Sequence, residues 1–348
     1  MNRTLLSSLV ALLLVLLTPD ARAQVGGGSN PGDRILREHT LLFPVLQQNA
    51  VVSTHVGIRE GLAQFQADQL PLADLGPRDV KLTGLQQTLD LSLRFTPWLA
   101  LYLAGEGQAI IGTNGITLLR RGAAYDVRGD AGLAFRVLRN EASGTQLTLR
   151  GFLGASKGRN ITVLPLLQSL VNQPGRTLTD IAGGNLDDLL IVPTKEHAFG
   201  LGAYLAQTFG QGFSLQAGVT ARRTVRTERL FDIVQGTEFD DDLFTFRLEN
   251  AVAVTYDFAA HSVPIALMGE YRFDLGNRHG AALLSDSITA STVALGVYYS
   301  GRPNLQLGLS AVRALNGDPL QGTDAQGQPA ESESPKISYG ELILRYVW

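Results

Sequence analysis

Cysteine is absent from all 348 residues. Disulfides and thiolate metal sites are therefore excluded, and with them the acylated cysteine that would anchor a lipoprotein. Beyond Leu17 the chain also lacks any apolar run near the ~20 residues that a membrane helix needs. Charge of one sign is missing as well: 29 basic and 32 acidic residues leave a net charge of −3, which suggests no nucleic-acid partner. Yet 45% of the residues are hydrophobic and 38 are glycine. A chain of this kind is either soluble or builds a lipid-facing surface from alternate residues.

What is present begins with an export signal. Asn2 and Arg3 precede an apolar stretch from Leu5 to Leu17, then Pro19 and the small-residue exit Ala21-Arg22-Ala23. This pattern predicts a signal peptide over 1–23, cleaved before Gln24. Residues 24–49 read as a flexible N-terminal periplasmic segment, opened by Gly26-Gly27-Gly28-Ser29-Asn30-Pro31-Gly32. Within it Leu41-Leu42-Phe43-Pro44-Val45-Leu46 is expected to form a short helix or a periplasmic cap.

From about residue 50 the period becomes two. Leu85, Gln87, Leu89, Leu91, Leu93 and Phe95 alternate with Gln86, Thr88, Asp90, Ser92 and Arg94, and the rhythm returns around Leu149, Leu215 and Leu267. About twelve strands follow, near 50–58, 84–95, 99–111, 124–137, 145–157, 196–209, 213–226, 243–256, 263–274, 289–300, 305–314 and 337–348. Their connections alternate between short (Thr96-Pro97, 138–144, 210–212, 257–262, 301–304) and long (59–83, 112–123, 158–195, 227–242, 275–288, 315–336). Short periplasmic turns and long outer loops are the asymmetry of a transmembrane barrel, whereas a soluble sandwich has no reason to alternate so regularly. Aromatic residues gather at strand ends: Phe95 with Trp98, Phe209 with Phe213, Tyr256 with Phe258.

The last strand carries Leu342, Leu344 and Tyr346 at every second position and closes on Trp348. Here the chain resembles bacterial outer-membrane β-barrels as a class, over residues 50–348. Those usually finish in Phe, so the terminal Trp is a departure. The resemblance implies an all-β, antiparallel up-and-down barrel of about twelve strands in the outer membrane. It also implies that the final strand is read by the barrel-assembly machinery, and that lipids and lipopolysaccharide are partners.

If the greasy phase faces lipid, the other phase is luminal and holds Asp90, Arg94, Glu106, Arg128, Asp130, Arg136, Arg150, Arg222, Arg247, Glu249, Glu270, Arg272, Glu341 and Arg345. Two readings stay open: a water-filled passage for small solutes tuned by these charges, or a lumen knitted shut by ion pairs in a barrel acting through its outer loops. Charge matching across the turn at Ala260-His261 predicts Arg247 beside Asp274 and Glu249 beside Arg272. In the longest loop, Val163, Leu166, Leu167, Leu170 and Val171, then Leu186, Leu189 and Leu190, have the spacing of short amphipathic helices that constrict the mouth or pack on its rim.

A weaker alternative is a membrane-embedded serine esterase, since Gly154-Ala155-Ser156-Lys157-Gly158 fits G-x-S-x-G and His197 opens the next strand. Against it, Ser156 falls in the luminal phase and His197 in the lipid phase, so no enzyme activity is expected. The acidic run Glu238, Asp240, Asp241 and Asp242 lacks calcium-loop spacing, and His39, His55, His261 and His279 are scattered. No metal or cofactor is expected.

Overall fold

Alternating sequences can bury one face only by packing or by closing, and this one closes. The computed structural model describes residues 31–70, 78–112, 123–161, 191–232, 237–280, 286–316, 321–323, 329–331 and 336–348. Twelve antiparallel strands form a closed barrel in sequence order. They are β1 (His55–Leu70), β2 (Arg78–Thr96), β3 (Leu99–Gly112), β4 (Ala123–Asn140), β5 (Thr145–Ile161), β6 (Ile191–Phe209), β7 (Phe213–Asp232), β8 (Thr237–Asp257), β9 (Ile265–His279), β10 (Asp286–Tyr299), β11 (Leu305–Asn316) and β12 (Lys336–Val347). The seam runs from Val347 opposite His55 to Lys336 opposite Gln66, so no edge is left for another chain to pair with.

Each predicted strand is present, and most extend farther at the long-loop end. Most of the predicted loop over 59–83 is strand instead, because β1 continues to Leu70 and β2 begins at Arg78. The first strand starts at His55 rather than at residue 50, for a reason that lies inside the barrel. The signal peptide and the helices predicted within 162–190 fall outside the described residues.

The turn between β8 and β9 corrects the predicted register. Glu249 lies opposite Asp274, and Arg247 opposite Gly276, two residues away from the charge-matched pairing. The cause is the turn itself: Phe258–His261 forms a 3-10 turn, capped by the Asp257 carboxylate accepting from the Ala259 N–H and ended by Ser262 in the left-handed region. Its fixed length outweighs side-chain charge. At two other short turns Gly144 and Gly210 take φ of 69° and 71°, which a glycine adopts without steric cost.

Outward positions are mostly apolar, as with Leu62, Leu153, Leu201, Leu295 and Leu309, all more than half exposed, although Glu60 and Gln87 also face outward, bonded to each other at 3.0 Å. Near the short turns the belt ends in aromatic contacts: Trp98 with Phe135 at 5.2 Å, Phe209 with Phe213 at 5.5 Å, Tyr256 with Phe258 at 4.8 Å and Tyr346 with Trp348 at 5.3 Å. Inside, large rings lie flat where the wall carries glycine. A Cβ on Gly308 would stand 2.3 Å from the Tyr298 ring, and one on Gly218 2.6 Å from that of Tyr204.

Leu153, at 70% exposure midway along β5, tests the belt. Leu153→Arg is expected to cost about 2–4 kcal/mol, read as a lowered denaturant midpoint in lipid vesicles. An unchanged midpoint would remove this position from hydrocarbon.

Candidate functional site

The lumen is occupied at the short-turn end by the chain's own residues 33–53. Expected as part of a flexible periplasmic lead, they instead rise into the barrel, turn over at Pro44–Asn49 and descend to Thr54, where β1 begins. Their only regular structure is a 3-10 turn at Pro31–Arg34 and the two-residue pairing of Ile35–Leu36 with His39–Thr40. Apolar burial drives this seating. Leu36, Leu41, Phe43, Ala50 and Val51 pack with Tyr204, Ala206 and Val347, while Leu42 packs with Ala253, Ala266, Met268 and Tyr298. Val52 meets Ala100, Tyr102 and Ala134. Each fully buried Leu or Phe contributes roughly 1.5–3 kcal/mol.

A plug without secondary structure has backbone groups to satisfy, and the wall's side chains do so. Gln306 accepts from the Phe43 N–H at 2.9 Å and donates back to its carbonyl at 3.1 Å, as a neighbouring strand would. Glu270 accepts from the N–H groups of Val45 and Leu46, both at 2.8 Å. The carbonyls receive donors in turn: Leu42 from Gln216 at 2.6 Å, Phe43 from Arg345 at 3.1 Å, Val45 from Arg59 at 3.3 Å, and Ala50 from Thr148 at 2.6 Å as well as from Gln146. Arg150 donates to the Val51 carbonyl and the Asn49 amide oxygen, and Arg136 to the Val52 carbonyl at 2.9 Å. Near the rim Asp33 sits among Arg94, Arg136 and Arg139.

Beyond the plug, toward the long-loop end, lies a polar cavity of about 430 Å³ floored by Pro44–Asn49. The charges singled out in the sequence divide between cavity and plug. Asp90, Glu106, Arg128, Asp130, Arg222, Arg247, Glu249, Arg272 and Arg345 line the cavity. Arg94, Arg136, Arg150, Glu270 and, again, Arg345 hold the plug. Glu341 lies 3.7 Å from Arg59. Ion pairs knit the cavity wall, with Arg345 on Asp90 at 2.8 Å, Arg128 and Arg222 on Asp130, and Arg247 and Arg272 on Asp274.

Sequence reasoning missed Asp33, Arg59 and the whole plug. One signal was available: the luminal positions Ala100, Ala134, Ala206, Ala253 and Ala266 are small, and all are at most 1% exposed, which an empty lumen would not give. Outside this region, Ser156 pairs with Glu196 on the luminal face, and His197, opposite Ala155, lies exposed on the outer face, so the two sit on opposite sides of the wall. Asp240 and Asp242 are exposed on β8, and among the described residues no acidic or histidine cluster has the makings of a metal site. Leu342 and Leu344 point outward on β12, and the Trp348 ring packs edge-on against Tyr346.

No protein family and no curated protein matches the chain. Among solved structures it is similar to the COG4313 outer membrane channel from Pseudomonas putida F1, at 15% identity and a TM-score of 0.44, covering 92% of this chain and all of that one. It is also similar to the transport unit of the autotransporter AIDA-I from Escherichia coli, at 11% identity and a TM-score of 0.48 over 92% of this chain and 98% of that one. The translocator domain of the autotransporter NalP from Neisseria meningitidis gives 10% identity and 0.47, over 85% and 88%. The wall itself is a closed, twelve-stranded antiparallel barrel with a largely apolar exterior.

The plug carries a titratable group of its own. His39 is fully buried and its Nδ1 is 2.9 Å from the Gln211 carbonyl, so Nδ1 holds the proton and donates, while the buried Nε2 has no partner. Burial holds its pKa below the usual imidazole value, against smaller opposing effects of the Gln211 bond and the nearby Asp257 carboxylate. The undocked segment therefore binds the proton more readily than the docked one. Docking is at full strength above the ordinary imidazole pKa and weakens as pH falls below it. The hydrogen-exchange protection factors of residues 41–53, taken relative to the intrinsic exchange rate at each pH, should fall as pH is lowered from about 7 to about 5, and His39→Gln should flatten that response. An undiminished response in the variant would assign it to another group.

Proposed function

We propose that this protein is a gated outer-membrane passage for small polar solutes, exported by the signal peptide at 1–23, in which residues 33–53 are the gate. One observation carries the reading: the polar cavity is shut at the short-turn end by a segment that shares no backbone–backbone bond with the barrel strands among the described residues up to Ser53. Withdrawing it breaks side-chain bonds and apolar contacts and leaves every rung of the barrel in place. A lumen filled from wall to wall would favour a closed barrel acting through its outer loops; among the described residues the filling extends only as far as Asn49, with the 430 Å³ cavity beyond.

In this reading the short turns face the periplasm and the aromatic contacts near them sit at lipid headgroups. Lipopolysaccharide meets the opposite half of the belt. The alternating Leu342, Leu344, Tyr346 and Trp348 are the stretch offered to the barrel-assembly machinery.

Planar-bilayer recording tests the gate. The full chain should conduct rarely and in brief events, while a chain deleted for residues 33–53 should give steady, discrete openings. Glu270→Ala, which strips the acceptor from two plug N–H groups at a cost of about 1.5–3 kcal/mol, should fall between them. Silence from the deleted chain, with its barrel shown intact by heat-modifiable migration, would replace the passage with the closed, loop-acting barrel.

A further inference from the structure

Three cations point outward near the long-loop end of β5, β6 and β7. Lys157 and Lys195 are exposed and directly opposite each other, and Arg223 is exposed opposite Phe199, farther down β6. Like charges set face to face across two strands cost free energy unless an anion lies against them. None of the three has a hydrogen bond or ion pair among the described residues. The row beyond Lys195 continues to Thr227 and then Asp242, whose carboxylate already accepts from the Thr227 hydroxyl at 2.6 Å. Elsewhere on the wall Arg313 is also exposed, but it stands between Val293 and Ser338 with no second cation opposite.

Their height on the wall fits a headgroup. Ten residues of a strand, rising ~3.3 Å each and tilted by ~40°, climb about 25 Å, the depth of an apolar band. Arg223 lies that far above Phe213 on β7, and Phe199 that far above Phe209 on β6, counted from the aromatic contact near the short turns. Arg223 and Phe199 therefore mark the far edge of the band, with Lys157 and Lys195 just past it. Beside Lys157, on the flank away from Lys195, the outer wall is hollowed. Gly105, Gly129 and Ala155 follow one another in register across β3, β4 and β5, and with Leu89, Leu103 and Leu153 they line an apolar groove of about 520 Å³. Ala155 is two residues below Lys157 on the same face, so the groove opens beneath the lysine pair.

An acyl chain fits the groove and an anion fits the lysines, and a lipid headgroup joins the two. An uncharged lipid would leave the cations unanswered, and a soluble anion would make no use of the groove. Three converging cations also call for more than the single charge of a phosphodiester, whereas a phosphate monoester carries about −1.5 to −2. We infer that this flank binds one molecule of the lipid A part of lipopolysaccharide, an acyl chain lying along Gly105, Gly129 and Ala155 and a phosphate at Lys157 and Lys195, with Arg223 reaching up from below. Placing that lipid in the outer leaflet rests on the reading above that the short turns face the periplasm; its binding does not.

Native mass spectrometry of the full chain in detergent tests the assignment, with diphosphoryl lipid A, dephosphorylated lipid A and phosphatidylglycerol as probes. Diphosphoryl lipid A should bind at least about tenfold more tightly than either of the others. Changing Lys157→Gln and Lys195→Gln together should remove about tenfold and leave dephosphorylated lipid A as it was, while Arg313→Gln should alter nothing. Gly105→Leu, at a position where a Cβ meets nothing within 4 Å, should weaken both forms of lipid A by filling the groove. Ala155→Leu serves in its place if that chain does not give a heat-modifiable barrel. Equal binding of the three probes, no effect of the lysine pair, an equal loss from Arg313→Gln, or undiminished binding with the groove filled would overturn the assignment. The titration does not depend on conductance or on which end faces the periplasm, so the lipid site and the passage can fail separately.

Discussion

Everything inside this barrel answers to one requirement: a peptide segment removed from water must find a partner for each N–H and each C=O. A helix or strand meets it internally. Residues 41–53 do neither, and so the wall meets it for them, with Gln146, Gln216, Gln306, Glu270, Arg136, Arg150 and Arg345 reaching in from six different strands. The identity of these residues follows from the task. Long side chains with donors or acceptors at the tip bridge from a fixed strand to a backbone several ångströms away, and glutamine, carrying both, can imitate a neighbouring strand.

The same requirement separates the lumen into two regions. Where the segment lies, luminal positions shrink to alanine, or to tyrosines pressed flat over glycine, and the charged groups are consumed in holding it. Past Asn49 charges remain but the segment does not, and they pair with one another or stay unpaired around the cavity. Holding the segment and lining the cavity are thus done by adjoining rings of the same wall, with Arg345 belonging to both: it donates to the Phe43 carbonyl and to Asp90.

The barrel was legible because hydrocarbon on one face and water on the other impose a period of two on every strand, and no single residue has to be right for the pattern to be read. The luminal phase was legible for the same reason. Register across the β8–β9 turn was not, since a capped 3-10 turn sets it and places Glu249 beside Asp274 against their charge. Nor was the plug. Leu41-Leu42-Phe43-Pro44-Val45-Leu46 has no periodicity because its partners are spread around the barrel, up to 302 residues away in the case of Phe43 and Arg345. Local sequence cannot encode a conformation whose hydrogen bonds are mostly distant.

The root of the plug is fastened from both sides. The Thr54 carbonyl accepts from the Trp348 N–H at 3.1 Å, and its hydroxyl accepts from the Arg94 N–H at 3.1 Å, so the chain is riveted to β2 and to the end of β12 just before β1 begins. A tug on the preceding residues stops at that rivet instead of unzipping the seam. On the proposed reading the segment is a stopper on a short leash: swung out, it stays within reach of its seat, and its return is an intramolecular event at high effective concentration, indifferent to how many copies of the protein the membrane holds.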